Sequence, residues 1–254
     1  MAKSTVTIPN PFDRLRGALR LRLPLVKNIK SNLTIYLSES RIEMQILITA
    51  GGTREYIDPV RFISNASSGK MGYALARAAL KAGHKVTLIT GPAGQRPPRR
   101  AKLINVETAE QIYEAVKKNF GRSDCLIMAA AVADYTPVRS AKTKLKKSDK
   151  SITIKLKPTK DILKWAGKHK GPGQIVIGFA LEDKAVRVRA AGKLKDKNLD
   201  VIVANSPAAI GADKANFQIK IPDSPWLDIR NAAKSTTANK IIRLIEGLYQ
   251  SGFK

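Results

Sequence analysis

The stretch MQILITAGGTREYIDPVRFISNASSGKMGYALARAALKAG, residues 44–83, decides how the rest of the chain is read. It opens on an unbroken apolar run, QILITA, and ends on an alanine-rich run closed by Gly83. A run that is apolar at every position predicts a strand buried on both faces, as in a parallel sheet. The alanine-rich run predicts a helix that covers it. Between them lies SSGKMG, a glycine-bearing turn that leads into the helix. It fits neither common phosphate loop: no GxGxxG follows the first strand, and Lys70 is followed by Met71 rather than Ser or Thr. Unpaired amides at a helix N-terminus still attract phosphate or carboxylate. Ser67, Ser68, Gly69 and Lys70 are therefore anion-binding candidates, against the plainer reading of a serine N-cap with a packing glycine.

From Met44 onward the pattern alternates. KVTLIT, LINVE, CLIMAAAV, QIVIGFA and DVIVAN read as strands. TAEQIYEAVKKNF, EDKAVRVRAAGKLKDK and STTANKIIRLIEGLYQ read as helices, the first opening on a capping box from Thr108 to Gln111. Apolar strands alternating with helices predict an α/β fold, a Rossmann-like doubly wound, mostly parallel sheet. TKLKK and SITIKLK break the rhythm, each alternating polar and apolar around SDK. They predict a projecting antiparallel hairpin, either an edge feature, a dimerisation arm or a flap. Residues 1–43 are basic and weakly patterned and read as an N-terminal extension, a candidate for disorder, ahead of a domain at 44–254.

The chain has 254 residues, 43% of them hydrophobic, enough for one good-sized domain. No apolar stretch is long enough to cross a bilayer, and no secretory pattern opens the chain, so the expected compartment is the cytoplasm. Cys125 is the sole cysteine, expected to be buried and reduced. His84 and His169 are far apart in sequence and are expected at the surface, which argues against a zinc site or a Ser-His-Asp triad. The net charge of +26 admits nucleic acid or anionic small molecules as partners. The lysines are spread along the chain and aromatics are only 6%, too few for a stacking surface, which favours the small molecules.

Ligands of open parallel sheets bind at the carboxyl ends of the strands. AAAVADY has small residues there that leave room for a ligand, and Asp134 is either a site carboxylate or a turn former. KLKK, starting at Lys144, is either a solvated face or a mobile basic strand able to close over a triphosphate. Lys193, Lys195 and Lys197 form a second basic set after GFALED.

TAGGTREYIDPVRFISNASSGKMG, AAAVADY, KLKK, GFALED and KNLDVIVAN, in this order and spacing, closely resemble phosphopantothenoylcysteine synthetase, the second half of the bifunctional coenzyme A flavoprotein of bacteria. The resemblance runs from about Met44 to the C-terminus, and its first motif is long enough to be highly specific. It lacks the flavin-binding decarboxylase half, which implies a stand-alone synthetase with no flavin. It implies joining of 4'-phosphopantothenate to L-cysteine, with CTP as co-substrate and Mg2+ assisting. The carboxylate would attack CTP to give an acyl-cytidylate and pyrophosphate, and the cysteine amine would then displace CMP. Carried over by motif, Asn65 would hold the acyl intermediate and Lys144 would contact the phosphates from a flap. Met128, Ala129, Ala130, Ala131 and Asp134 would line the pocket, and Phe179, Lys193 and Lys197 would complete the nucleotide site. Where family members often show NPDI this chain has Thr159 and Lys160 before the matching Asp161 and Ile162. The resemblance also implies a homodimer in which both subunits help form each site, and it leaves the magnesium ligands unassigned.

Two rival readings predict different features. An NAD(P)-dependent oxidoreductase on this fold calls for the missing glycine pattern. A basic nucleic-acid-binding protein would use residues 1–43 and bind in a salt-dependent way.

Overall fold

A computed structural model describes residues 42–252. The expected N-terminal extension, residues 1–43, lies almost wholly outside the described residues.

Strand β1 (Gln45–Ala50) is central, flanked by β4 (Lys85–Thr90) and β6 (Cys125–Met128), both parallel to it. β5 (Lys102–Asn105) extends the sheet beyond β4, and β9 (Ile175–Leu181) and β10 (Val201–Asn205) extend it beyond β6, all in parallel. Two further strands, β11 (Lys214–Lys220) and β12 (Leu227–Ala233), add antiparallel at that edge, giving the order β12-β11-β10-β9-β6-β1-β4-β5. The mostly parallel doubly wound arrangement matches the expectation. The antiparallel pair was not foreseen.

Helices cover both faces. α1 (Lys70–Ala82) and α5 (Lys234–Gln250) lie on one side, against Ile46 and Ile48 of β1. α2 (Ala109–Phe120), α3 (Ile162–His169) and α4 (Val186–Asp196) lie on the other, where Leu47 packs with Ile112, Val116 and Phe120. Alternate residues of one short strand thus feed two cores, which is why the strand carries no polar alternation. Each fully buried Leu or Ile contributes roughly 1.5–3 kcal/mol relative to exposure. The capping box at α2 is present: Gln111 N–H donates to Thr108 Oγ1 at 3.2 Å, and Thr108 N–H donates to Gln111 Oε1 at 3.2 Å. Among the described residues no helix is long and apolar enough to cross a membrane.

Three local expectations need correction. An antiparallel hairpin does project from the sheet, but its strands are β7 (Tyr135–Pro137) and β8 (Leu156–Pro158). KLKK lies in the irregular connection between them rather than in a strand, because polar contacts described below draw it onto a separate small hairpin formed by β2 (Arg54–Tyr56) and β3 (Phe62–Ser64). His84 is buried, not at the surface; Met44 N–H donates to its Nδ1 at 3.3 Å and Glu246 of α5 approaches its Nε2 at 3.2 Å. His169 is exposed as expected. Finally, α1 is capped by no serine side chain: its N-cap is Gly69, left-handed at φ 72°. Cys125 is buried and free, and burial pushes its thiol pKa far up, so it stays protonated and unreactive.

Gly72 seats α1 on β1. A Cβ there would lie 2.5 Å from Ala50 Cβ and 2.9 Å from the Thr49 carbonyl oxygen. Helix propensity alone makes Gly→Ala favourable by about 0.8–1 kcal/mol. Overpacking against strand backbone costs about 1–3 kcal/mol and outweighs it. Gly72→Ala is therefore expected to lower the urea unfolding midpoint, and a raised midpoint would show that the contact is slack.

Candidate functional site

A cleft of about 660 Å³ opens at the carboxyl edge of the sheet, between the start of α1 and the loops after β6, β9 and β10. Its first wall is the NASSGK loop. Asn65 Nδ2 donates to the Val132 carbonyl at 3.0 Å and to that of Ala131 at 3.4 Å, tying this loop to the one after β6. Gly69 N–H donates to Ser67 Oγ at 3.4 Å and Lys70 N–H to Ser68 Oγ at 3.5 Å, long contacts that leave the first-turn amides of α1 weakly engaged. Asn65, Ser67, Ser68, Gly69 and Lys70 all line the cleft.

The second wall is the end of β6 with the residues that follow: Met128, Ala129, Ala130, Ala131 and Asp134. Two buried threonines hold it. Thr49 Oγ1 accepts from Ala130 N–H at 3.1 Å, and Thr53 Oγ1 accepts from Ala133 N–H at 3.0 Å. The chain leaving β6 thereby stays flat and small, and the space above it is free for a ligand. Asp134 is exposed at the mouth, and its backbone carbonyl accepts from Thr159 N–H at 2.9 Å.

The third wall joins α3 and α4. Asp161 caps α3, accepting from Lys164 N–H at 3.0 Å, and pairs with Lys197 at 2.9 Å. Lys193 pairs at 2.6 Å with Glu182, a buried carboxylate. Ile162 and Phe179 add apolar surface. Thr159 and Lys160 also line the cleft, but the Lys160 ammonium turns to Glu110 at 2.6 Å and lies over the Tyr113 ring at 4.4 Å. The Glu110 contact raises its pKa.

Of the site residues singled out from sequence, two are outside the cleft lining, Lys195 on α4 and Lys144. Its neighbour Leu145 is held at the tip of the β2–β3 hairpin. Leu145 N–H donates to Asp58 Oδ2 at 3.1 Å, and its carbonyl accepts from Arg61 Nη2 at 2.6 Å. Asp58 is itself buried against Arg61, whose Nε donates to it at 2.9 Å. That guanidinium bond is the main reason its carboxyl stays far below the usual carboxylate range; the amides of Val60, Arg61 and Leu145 add to it and burial opposes it. Sequence reasoning singled out none of Asp58, Thr49, Thr53 and Lys234, which line or brace the cleft without a recognisable motif. A threonine inside an apolar strand, as in ILITAGGT, was the one available signal.

Asp58→Asn is expected to free the lysine segment, seen as trypsin cleaving after Lys144, Lys146 or Lys147 several-fold faster than in the unaltered protein. The depressed pKa also fixes a sign. Asp58 stabilises the fold fully above its unfolded pKa of about 4 and loses that contribution as pH falls through its lower folded value. The variant should therefore show a shallower loss of stability below about pH 4. Equal cleavage rates would mean that the segment is held elsewhere.

Residues 42–248 match the DNA/pantothenate metabolism flavoprotein C-terminal domain. The chain is 49% identical over 168 residues to the coenzyme A biosynthesis bifunctional protein CoaBC of Bacillus subtilis (strain 168), covering 66% of this chain and 41% of that protein. It is 39% identical over 203 residues to the CoaBC protein of Borreliella burgdorferi, covering 79% of this chain and 52% of that one. The chain thus spans about half the length of the curated relatives it matches. Its fold superimposes on the crystal structure of the C-terminal domain of a CoaBC protein with a TM-score of 0.73 and 38% identity, over 83% of this chain and 98% of that domain. The cleft, the order of its walls and these matches agree: the chain belongs to the DNA/pantothenate metabolism flavoprotein C-terminal domain family.

Proposed function

We propose that this protein is a phosphopantothenate–cysteine ligase of coenzyme A biosynthesis, using CTP through an acyl-cytidylate. The observation that supports it most is the convergence in one cleft of the NASSGK loop, the AAAVAD strand end and the Phe179, Lys193 and Lys197 set. The chemistry asks for little else. A carboxylate oxygen of 4'-phosphopantothenate attacks the α-phosphorus of CTP, and pyrophosphate leaves. The cysteine amine then attacks the acyl carbon, the acyl C–O bond breaks, the amine loses a proton, and CMP departs. No side-chain nucleophile is required, so positioning and charge stabilisation carry the rate.

In this reading Asn65, held by its Nδ2 to the Val132 carbonyl at 3.0 Å and more loosely to that of Ala131 at 3.4 Å, gives up the longer contact to donate to the acyl oxygen. The small Ala129, Ala130 and Ala131 admit the pantothenate chain. Lys193 and Lys197 face the nucleotide, each held in place by a carboxylate, Glu182 and Asp161 respectively. Lys144 reaches the phosphates only when its segment swings from the β2–β3 tip, or across a subunit boundary. Magnesium fits this donor set as a triphosphate-borne ion. Among the described residues no cluster of three or more His, Cys, Asp or Glu is placed to hold a metal, and Mg2+ commonly takes one or two carboxylates plus substrate phosphates. Asp134, exposed at the mouth and outside any ion pair among the described residues, is the carboxylate that would serve. When bound, the ion would neutralise charge on the triphosphate. The buried, reduced thiol of Cys125 suits a cytoplasmic setting.

The same reading makes the protein a homodimer. Val60, Phe62, Tyr135, Ile152 and Leu156 are exposed on or beside the two small hairpins, Val60 at 58% and Tyr135 and Ile152 each at 56%. Clustered exposed apolar side chains mark interaction surfaces. Light scattering at micromolar concentration should give twice the chain mass, and an active monomer would defeat the assignment.

The function is tested by incubating the protein with 4'-phosphopantothenate, cysteine, magnesium and each nucleoside triphosphate in turn. Substrate-dependent pyrophosphate release is expected with CTP, and also from a chain starting at Met44. Absence of product with every nucleotide would sink the ligase reading, and a preference for ATP would move only the nucleotide. In single turnover without cysteine, Lys144→Gln should slow acyl-nucleotide formation by about 10²–10³-fold, the scale of losing one charge-stabilising contact. Asn65→Asp should form the intermediate and fail to consume it once cysteine is added. Normal behaviour of either variant would overturn its assigned role.

A further inference from the structure

Five lysines line the cleft: Lys70, Lys160, Lys193, Lys197 and Lys234. Four are ion-paired, with Asp213, Glu110, Glu182 and Asp161 respectively. Lys234 makes no such pair among the described residues. Its ammonium donates only to the Ala209 carbonyl, at 3.2 Å. Lys70 stands near it, its Nζ donating to Asp213 Oδ1 at 2.7 Å and to the Gly211 carbonyl at 3.2 Å. Burial first, and the charge of Lys70 second, lower the Lys234 pKa, while Asp213 opposes them. Two ammonium groups therefore stand near one carboxylate that pairs with Lys70 alone, and that carboxylate is 88% exposed. An exposed ion pair of this kind is weak and readily exchanged.

We infer that Lys234 and Lys70 form a two-ammonium subsite that takes a phosphoryl dianion of a substrate, with Asp213 as the built-in counter-charge that the ligand displaces. A dianion with three acceptor oxygens can bridge both lysines, where the Asp213 carboxylate engages only Lys70. It relieves the repulsion between them and supplies Lys234 with the partner it lacks. The other three lysines already have carboxylate partners within 3 Å, so they do not compete for the same dianion. The inference rests on the ligase reading only for the source of the phosphoryl group, which is either the 4'-phosphate of phosphopantothenate or the triphosphate.

Calorimetric titration of the full chain separates these cases, with inorganic pyrophosphate, 4'-phosphopantothenate and CTP each titrated alone. Lys234→Met is expected to weaken pyrophosphate by about tenfold, the scale of one charge-assisted hydrogen bond. It should weaken one of the two substrates equally and leave the other near its original affinity, which names the source. Lys234→Arg should keep most of the affinity, and Asp213→Asn should tighten pyrophosphate by removing the competitor. Unchanged pyrophosphate affinity in Lys234→Met, weaker binding in Asp213→Asn, or no binding by the unaltered protein would each overturn the subsite. Should Lys234→Met fail to fold, the Asp213→Asn titration decides alone. If the protein binds pyrophosphate as described but forms no product with any nucleotide, the ligase reading fails while the subsite stands.

Discussion

The carboxyl edge of this sheet depends on backbone meeting backbone without side chains between. Gly51 leaves β1 in a left-handed turn at φ 80°, and a Cβ on it would lie 2.7 Å from the Gly91 carbonyl oxygen after β4. A Cβ on Gly91 would collide in turn with the Gly52 carbonyl. Because these strand ends can touch, the chain can leave β1 sideways, build the β2–β3 hairpin, and return as the NASSGK loop before α1 begins. A tight strand-to-helix turn would have filled that space. The detour puts Asn65 within reach of the Val132 carbonyl and joins the first two walls of the cleft.

Charge organises what the backbone opens. The acidic partners of the cleft lysines come from different elements: Glu110 from α2, Glu182 from the end of β9, Asp161 from the cap of α3 and Asp213 from the loop before β11. Partly exposed pairs of this kind are worth about 0–1 kcal/mol each, too little to explain the fold. Their consequence is orientation: each fixes where an ammonium points before a polyanion arrives. Asp58 and Arg61 do the same for the lysine segment, gripping Leu145 by both its N–H and its carbonyl. The protein thus holds some positive charge in the cleft and some outside it, a division that suits the proposed reaction, in which charge would move from a carboxylate onto leaving pyrophosphate.

The parts of this fold that were legible in the sequence are those where one periodicity dominates. QILITA, KVTLIT and DVIVAN carry apolar residues on both faces of their inner positions because both faces are covered, and Thr108 to Gln111 announces α2 by local chemistry. β11 and β12 escaped because KANFQIK and LDIRNAA mix polar and apolar residues on an antiparallel edge, where no single pattern is required. The alternation of SITIKLK correctly marked a hairpin region, yet only Leu156 and Lys157 of it pair, and with Thr136 and Pro137 rather than with KLKK. Nothing near KLKK in sequence encodes its contact with Asp58. His84 sits beside a helix-ending glycine and reads as surface until Glu246, from the far end of the chain, is folded against it. For the site, the motif-bearing stretches supplied the walls, while Thr49, Thr53 and Lys234 acquire their places only through tertiary structure.

In the proposed reaction a carboxylate oxygen is activated as a nucleotide ester in this cleft. The most direct measurement is a turnover with 4'-phosphopantothenate labelled with oxygen-18 in its carboxylate, followed by mass spectrometry of every product. One labelled oxygen is expected in the phosphate of the released CMP and none in pyrophosphate, because the acyl C–O bond breaks when cysteine attacks. Label appearing in inorganic phosphate, with a nucleoside diphosphate as the other product, would show activation as an acyl phosphate and contradict it.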